Sequence, residues 1–264
     1  MLPTAISHPD PRRIIAMGGG GFGARPPDPE LDRYVLDQAT AVTPRICLLP
    51  TASGDPDEQI QRFYRAFYDL PCEPSHLSLF RLGSHPVNLR ERLLSQDVIY
   101  AGGGSMANLL AIWRVHKVDE VLYEAWRRGI VLCGISAGAM CWFRAGVTKS
   151  HGEPRTTDGL GFLPFSCSVH WRSEPERGPV FREAVTLGEV PAGYGVDDGA
   201  ALLFAGTDLV EAVRTQRSSG AWLVEEDGAE PIDCVELAPP VQDAAQLLSI
   251  EEFRDLRRAG GSLR

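Results

Sequence analysis

Short apolar runs alternate along the chain with longer segments in which apolar positions recur at helical spacing. The short runs predict strands at residues 13–17, 45–50, 73–79, 97–101 and 130–133. The longer segments predict helices at residues 30–41, 56–68, 89–95, 109–116 and 118–128. Strands that alternate with helices are typical of a doubly wound, mostly parallel twisted sheet with helices on both faces. Such an α/β sheet carries its site at the carboxyl ends of the strands.

The remainder of the chain predicts further strands and a small C-terminal unit. Short strands are predicted at residues 163–170 and 200–204. Residues 221–224 and 233–237 predict a closing antiparallel β-hairpin around a polar segment. Ser249 and Glu252 have the spacing of a capping box, which predicts a terminal helix to residue 258. The whole chain, residues 1–264, is predicted to be a single α/β domain with its core at about residues 12–225.

The most informative motif is an apolar strand that ends in G-I-S-A-G at residues 134–138. A G-x-S-x-G turn between a strand and a helix holds its serine in a strained conformation, and the glycines remove Cβ atoms that would clash. Ser136 is therefore a candidate nucleophile, and the amides of the following helix face any charge that develops there. The alternative is a junction of small residues that only permits close packing. Serine also needs a base and an orienting acid.

Two glycine-rich turns follow other predicted strands. The turn at residues 102–104 lies one βα unit before Ser136, and its glycines let backbone amides approach a substrate oxygen. The candidate oxyanion-hole donors are the amide of Ala137 and that of Gly103 or Gly104; a tight turn without a ligand is the alternative. The G-G-G-G-F-G segment at residues 18–23 is not predicted to bind a dinucleotide, because prolines stand where that fingerprint needs a helix. It is expected to border the site.

A base and an acid are found among the polar residues that follow predicted strands. His170 ends an apolar strand beyond the nucleophile helix and is the preferred base, with His151 as the weaker candidate. Asp198 or its neighbour Asp197 is expected to orient the imidazole, with Asp158 as a rival acid. The D-D-G sequence at residues 197–199 is also compatible with a simple turn.

Composition limits the classes of partner. The formal net charge of −9 argues against nucleic acid, which needs a basic face. No apolar run approaches the length of a membrane span, and residues 1–11 lack the features of a signal peptide. The six cysteines include no C-x-x-C pair, which favours reduced thiols in the cytoplasm and argues against zinc. We expect no metal and no cofactor, a small peptide as the substrate, and leave a homodimer open.

The order Ser136, His170, Asp198 differs from that of the α/β-hydrolases, in which the histidine comes last. The motifs instead resemble the peptidase E (aspartyl dipeptidase) family: A-G-G-G-S-M-A-N-L-L at residues 101–110, G-I-S-A-G-A-M at 134–140, V-H at 169–170 and D-D-G at 197–199. The resemblance covers about residues 12–225 and implies a class I glutamine amidotransferase-like fold, with cyanophycinases among the relatives. It implies Ser136 as nucleophile, His170 as base, Asp198 as third member, and Gly103, Gly104 and Ala137 as oxyanion-hole elements.

Three positions depart from the pattern of that family. Ser105, at a substrate-contact position, begins Ser-Met where relatives usually have Asn-Thr. Arg182 matches the second arginine of a loop that recognises an N-terminal aspartate, but Pro179 stands where the first would be, so that Arg172 or Arg177 would have to compensate. Lys149 stands where relatives often carry an aspartate.

The resemblance thus implies a serine peptidase, dipeptidase-like, that cleaves small peptides through an acyl-enzyme, with strict specificity for N-terminal aspartate in question. A cyanophycinase-like isoaspartyl peptidase would share the triad and differ in its pocket. A non-catalytic binding protein on the same fold is a further alternative. An amidotransferase would require cysteine in place of Ser136.

Overall fold

The computed structural model describes residues 10–237, which form fourteen strands in two sheets and seven α-helices. The strands are β1 (Arg13–Met17), β2 (Arg45–Leu49), β3 (Glu73–His76), β4 (Val98–Ala101), β5 (Val131–Ile135), β6 (Phe143–Thr148), β7 (Arg155–Asp158), β8 (Leu163–Val169), β9 (Gly193–Val196), β10 (Ala200–Ala205), β11 (Asp208–Arg214), β12 (Ala221–Glu225), β13 (Gly228–Ile232) and β14 (Val235–Glu236). The helices are α1 (Pro29–Asp37), α2 (Asp57–Phe67), α3 (Leu89–Leu94), α4 (Met106–Val115), α5 (Val118–Arg127), α6 (Ala137–Met140) and α7 (Arg177–Thr186).

The larger sheet has the strand order β14-β11-β10-β1-β5-β4-β2-β3. The five neighbouring strands β1, β5, β4, β2 and β3 are parallel to one another, whereas β10 runs antiparallel to β1. Side chains of β1 alternate between two cores: Ile14 faces the core that contains α4 and α5, and Ile15 faces the core that contains α1 and α2. Because both faces of these strands are buried, each strand reads as a continuous apolar run. The predicted α/β class with helices on both faces is confirmed.

A second sheet, with the order β13-β12-β9-β8-β6-β7, packs beside the first and was not foreseen from the sequence. In this sheet β6, β8 and β9 are parallel neighbours. The chain passes from β5 in the larger sheet through the short helix α6 into β6. An isolated parallel bridge joins Gly19, after β1, to Asp198, after β9. The carboxyl ends of strands from both sheets therefore meet at one place.

The predicted bounds of the C-terminal hairpin are wrong. Its first strand, β12, pairs with Gly228–Ile232, because a tight turn at residues 226–227 closes the hairpin at once. Residues 235–236, expected to be part of the return strand, pair with β11 in the larger sheet. The helix predicted to end at residue 258 lies outside the described residues. Within residues 10–237, no helix is long and apolar enough to cross a membrane.

Candidate active site

Ser136 lies in the sharp turn between β5 and α6, with φ 55° and ψ −116°. A Cβ on Gly134 would lie 2.0 Å from the carbonyl oxygen of Gly138, and a Cβ on Gly138 would lie 2.2 Å from that of Ala101. The two glycines of the motif are thus required by close backbone approach. A positive φ at a non-glycine residue costs about 1–3 kcal/mol and is characteristic of functional turns.

A continuous hydrogen-bonded chain joins Ser136, His170 and Asp198. The Ser136 Oγ lies 2.9 Å from Nε2 of His170, and Nδ1 of His170 lies 2.6 Å from Oδ1 of Asp198. His170 directly follows β8 and also has a positive φ, 55°. The hydroxyl of Ser173 donates to the other oxygen of Asp198. These two donors, His170 foremost, lower the pKa of Asp198, which keeps the carboxylate ionised at neutral pH.

The rival residues lie elsewhere. Of the two adjacent acids, Asp197 is bound by Arg172, and Asp198 is the one in hydrogen-bond contact with His170. His151 lies in an exposed turn after β6, and Asp158 is exposed at the end of β7. Neither lines the cavity that contains Ser136.

The first glycine-rich loop borders the site, as expected from the sequence. A Cβ on Gly19 would lie 1.8 Å from Oδ1 of Asp198, and one on Gly18 would lie 2.2 Å from the carbonyl oxygen of Asp197. The amide of Gly199 donates to the carbonyl oxygen of Gly19 at 2.9 Å. These glycines therefore serve to bring the chain after β1 against the chain after β9, rather than to hold a phosphate.

Backbone amides for an oxyanion are available beside Ser136. Gly103 lines the cavity, and a Cβ there would lie 3.3 Å from Cβ of Ser136. Gly104 has φ 144°, and a Cβ there would lie 2.4 Å from the carbonyl oxygen of Ala52. Ala137 is the first residue of α6, so its amide has no partner within the helix. In the described part of the chain, no backbone hydrogen bond uses the amides of Gly103 or Gly104.

The cavity around Ser136 has a volume of about 760 Å³. Its wall carries charges of both signs outside the hydrogen-bonded chain, from Arg25, Asp28, Glu30 and Arg62. Arg62 donates to the carbonyl oxygens of Phe22 and Gly23 at 3.0 and 2.5 Å. Asp28 accepts from the hydroxyl of Thr215 at 2.6 Å, and burial raises its pKa. These four residues were not predicted from the sequence, although Asp28 and Pro29 carry the N-cap and N1 signals of a helix start.

The two residues predicted to bind substrate, Ser105 and Arg182, contact other parts of the protein. The hydroxyl of Ser105 accepts from the amide of Asn108 at 3.2 Å, so that it caps α4, which begins at Met106. Arg182 lies over the ring of Trp171, with its Cζ 5.8 Å from the ring centroid. Neither residue lines the cavity, and both contacts with substrate stay predictions.

Arg172 and Arg177, the two arginines that could compensate for Pro179, and Lys149, which stands where relatives often carry an aspartate, all form local ion pairs. Arg172 pairs with Asp197, and the buried Arg177 pairs with Glu174 and donates to the carbonyl oxygen of Val147. Lys149 forms ion pairs with Glu174 and Glu176. Outside the cavity wall, these cations stabilise the segments around α7. Among the described residues, no cluster of three or more His, Cys, Asp or Glu side chains is arranged to hold a metal ion.

The family model described as Peptidase family S51 matches residues 14–212 of this chain, a span that contains Ser136, His170 and Asp198. The chain belongs to this family. Membership confirms the resemblance to the peptidase E family and, with it, the class of enzyme, a peptidase.

Similar proteins agree with this assignment. The uncharacterized peptidase YgaJ of Bacillus subtilis (strain 168) is 46% identical over 213 residues, which cover 81% of this chain and 92% of YgaJ. The crystal structure of a peptidase from an acI-B1 Actinobacterium matches with a TM-score of 0.67 at 18% identity, covering 85% of this chain and 95% of that one. A structure named as a peptidase E protein from Listeria monocytogenes EGD-e matches with a TM-score of 0.57 at 17% identity, covering 78% of this chain and 99% of that one. At these identities the two structures show the shared fold alone.

Proposed function

We propose that this S51 peptidase hydrolyses small peptides by serine catalysis, with Ser136 as nucleophile, His170 as base and Asp198 as orienting acid. The observation that supports this most strongly is the chain of hydrogen bonds from the strained Ser136 through His170 to an ionised Asp198. A small-residue junction that only permits packing needs neither the strained serine nor this chain.

In the proposed reaction, His170 takes the proton of Ser136 while Oγ attacks the carbonyl carbon of the scissile peptide. The amides of Ala137 and of Gly103 or Gly104 would donate to the oxygen that becomes negative. His170 then gives the proton to the leaving amine, and an acyl-enzyme is left on Ser136. A water molecule, deprotonated by His170, hydrolyses that ester and regenerates the enzyme.

The cavity supports a small peptide as the substrate. Its volume of about 760 Å³ lies within the range of sites for small molecules, about 300–1,000 Å³. The wall carries cations, Arg25 and Arg62, which suit the carboxylate of a short peptide, and acids, Asp28 and Glu30, which suit its amine. If N-terminal aspartate is preferred, Arg62 is better placed than Arg182 to contact its side chain, because Arg62 lines the cavity and Arg182 does not.

The six cysteines of the chain are free, and four of them are buried. Burial raises the pKa of Cys47 to about 11 and also raises that of Cys133, which keeps both thiols protonated. Unpaired, buried thiols support a reducing compartment, and we propose the cytoplasm.

The test is hydrolysis of a dipeptide panel by the parent and by Ser136→Ala, measured as released amine. The panel contains Asp-Leu, β-Asp-Leu, Glu-Leu and Ala-Leu. Cleavage by the parent alone is expected, and preference for β-Asp-Leu would move the assignment to an isoaspartyl peptidase. Equal rates for the parent and Ser136→Ala would contradict the proposal. Absence of cleavage and of labelling by a serine-reactive fluorophosphonate would favour a binding protein instead.

A further inference from the structure

Asp197, the neighbour of the proposed catalytic acid, is a buried carboxylate whose oxygens are surrounded by donors. Its side chain is 6% exposed. The backbone amide of Arg172 donates to Oδ1 at 3.1 Å, and Nε of Arg172 donates to Oδ2 at 2.8 Å. The amide of Gly220 donates to Oδ2 at 3.0 Å. A buried carboxylate with these donors depends strongly on them, because removal of the arginine would leave the carboxylate as an uncompensated buried charge.

Arg172, whose side chain is half-exposed, makes two further contacts. Its guanidinium donates to the carbonyl oxygen of Ser218 and lies over Trp222, with Cζ 4.9 Å from the ring centroid. A planar guanidinium that is bound to a carboxylate and stacked on an aromatic ring has one preferred orientation. A lysine at this position would keep the charge without that orientation.

The two partners lie in the same two segments as His170 and Asp198. Arg172 comes two residues after His170, and Asp197 comes immediately before Asp198. The β8–β9 register ends at Val169 opposite Val196, and the last backbone contact between these segments is from the amide of Trp171 to the carbonyl oxygen of Val196, at 3.2 Å. Beyond this last backbone hydrogen bond, side-chain contacts must set the distance between the segment after β8 and the segment after β9.

We propose that the Arg172–Asp197 pair is a positioning pair, which fixes the separation and orientation of His170 and Asp198. This inference rests on the proposed function of those two residues. His170 has a positive φ, and a strained residue keeps its conformation only when its surroundings determine it. The pair supplies that constraint, anchored by the buried side chain of Asp197.

The decisive variants are Asp197→Asn, Arg172→Ala and Arg172→Lys, assayed with the preferred dipeptide. We expect Asp197→Asn and Arg172→Ala to lower kcat by about 10- to 100-fold with KM changed by less than about threefold, since misplacement by about 1 Å has effects of this size. Arg172→Lys should retain a larger part of kcat. The concentration of active sites, titrated with a fluorophosphonate, corrects each value for unfolded protein.

A matched control lies at the opposite end of the strands. Asp97, before β4, accepts from the amide and Nε of Arg45 at 2.8 and 3.1 Å, so that it too is bound by both the backbone and the side chain of one arginine. Asp97→Asn should reduce thermal stability without changing kcat per active site. A decrease in kcat equal to that of Asp197→Asn would show that such a pair acts only through general stability, and would overturn the proposal.

A spectroscopic measurement separates this inference from the proposed function. The proton between Nδ1 of His170 and Asp198 should give a far-downfield proton resonance in the parent, lost in His170→Ala and Asp198→Asn. We expect Asp197→Asn to shift or broaden this resonance and Asp97→Asn to leave it unchanged. An unaltered resonance with parental kcat per site in Asp197→Asn and Arg172→Ala would overturn the positioning role. If the parent neither cleaves the panel nor is labelled by a fluorophosphonate, the proposed function fails, while the resonance still tests whether the pair sets the geometry.

Discussion

Gly19→Ala should inactivate the enzyme by displacing its proposed catalytic acid. A Cβ at this position would lie 1.8 Å from Oδ1 of Asp198, whereas real Cβ contacts are not shorter than 3.0 Å. The methyl group and the carboxylate must therefore separate by at least 1.2 Å, the difference between these distances. Gly19 does not have a positive φ, so that the clash, and not backbone strain, is what the substitution introduces.

The expected loss follows from that displacement. Misplacing a reacting group by about 1 Å costs about 10²-fold in rate, and complete loss of the orienting acid in a triad costs about 10⁴-fold. We therefore expect kcat of Gly19→Ala to fall by about 10²- to 10⁴-fold, within the range that these two limits define. KM should change less, because Ser136 and the charged wall of the cavity are not moved directly.

The assay compares kcat and KM of the parent, Gly19→Ala and Gly83→Ala on the dipeptide that the parent prefers. Gly83 is the matched control, because a Cβ there meets no atom within 4 Å. Circular dichroism and thermal unfolding show whether each variant is folded. A folded Gly19→Ala enzyme with kcat within about twofold of the parent would refute the role of Asp198, because so small a change is incompatible with a displaced acid.

Three further predictions concern the surroundings of the site. Asp32 is fully buried, neither of its carboxylate oxygens has a hydrogen-bond partner in the described part of the chain, and desolvation raises its pKa well above 3.8. Because a raised folded-state pKa removes stability as pH rises, Asp32→Asn should have a higher Tm than the parent at pH 8 and a smaller advantage at pH 5; an equal difference at both would contradict this. Ser173→Ala, which removes a donor to Asp198, should lower kcat by up to about tenfold, and steady-state kinetics with an unchanged kcat would argue against that contact. Arg62→Met should raise KM for Asp-Leu more than for Ala-Leu, and an unchanged ratio would exclude Arg62 from substrate recognition.

The parallel half of the larger sheet was predictable from the sequence because its strands are buried on both faces. Strands such as β2 and β5 consequently appear as continuous apolar runs. The turn at Ser136 was predictable for a related reason, since Gly134 is required by contact with Gly138 four residues later, and Gly138 by contact with Ala101 on the neighbouring strand β4. Local requirements of this kind leave a signature in a short stretch of sequence.

In the second sheet only β8 and β12 were predicted as strands, and the other strands left no comparable signature. β7 and β9 are short and carry Arg-Thr-Thr-Asp and Gly-Tyr-Gly-Val, without the alternation that predicts a strand. The choice between Asp197 and Asp198 was open for a different reason. Adjacent residues in an extended segment point to opposite sides, and only the position of Arg172 in the fold determines which side faces His170.

The charged wall of the cavity could not be derived from sequence patterns either. Arg62 lies on the amphipathic helix α2, where an arginine is ordinarily a solvent-exposed residue. It reaches the cavity because the loop after β1 folds over this helix and offers the carbonyl oxygens of Phe22 and Gly23. Such a contact between distant segments depends on the path of a loop, which composition and periodicity do not specify.

The most direct test of the account is to identify the residue that a fluorophosphonate modifies. After brief incubation at neutral pH, mass spectrometry of the intact protein and of its peptides should show one adduct per chain, on Ser136. His170→Ala should be labelled far more slowly, since the imidazole is needed to accept the proton of Ser136. An unlabelled, folded parent, or labelling at another residue that persists in Ser136→Ala, would contradict serine catalysis at this site.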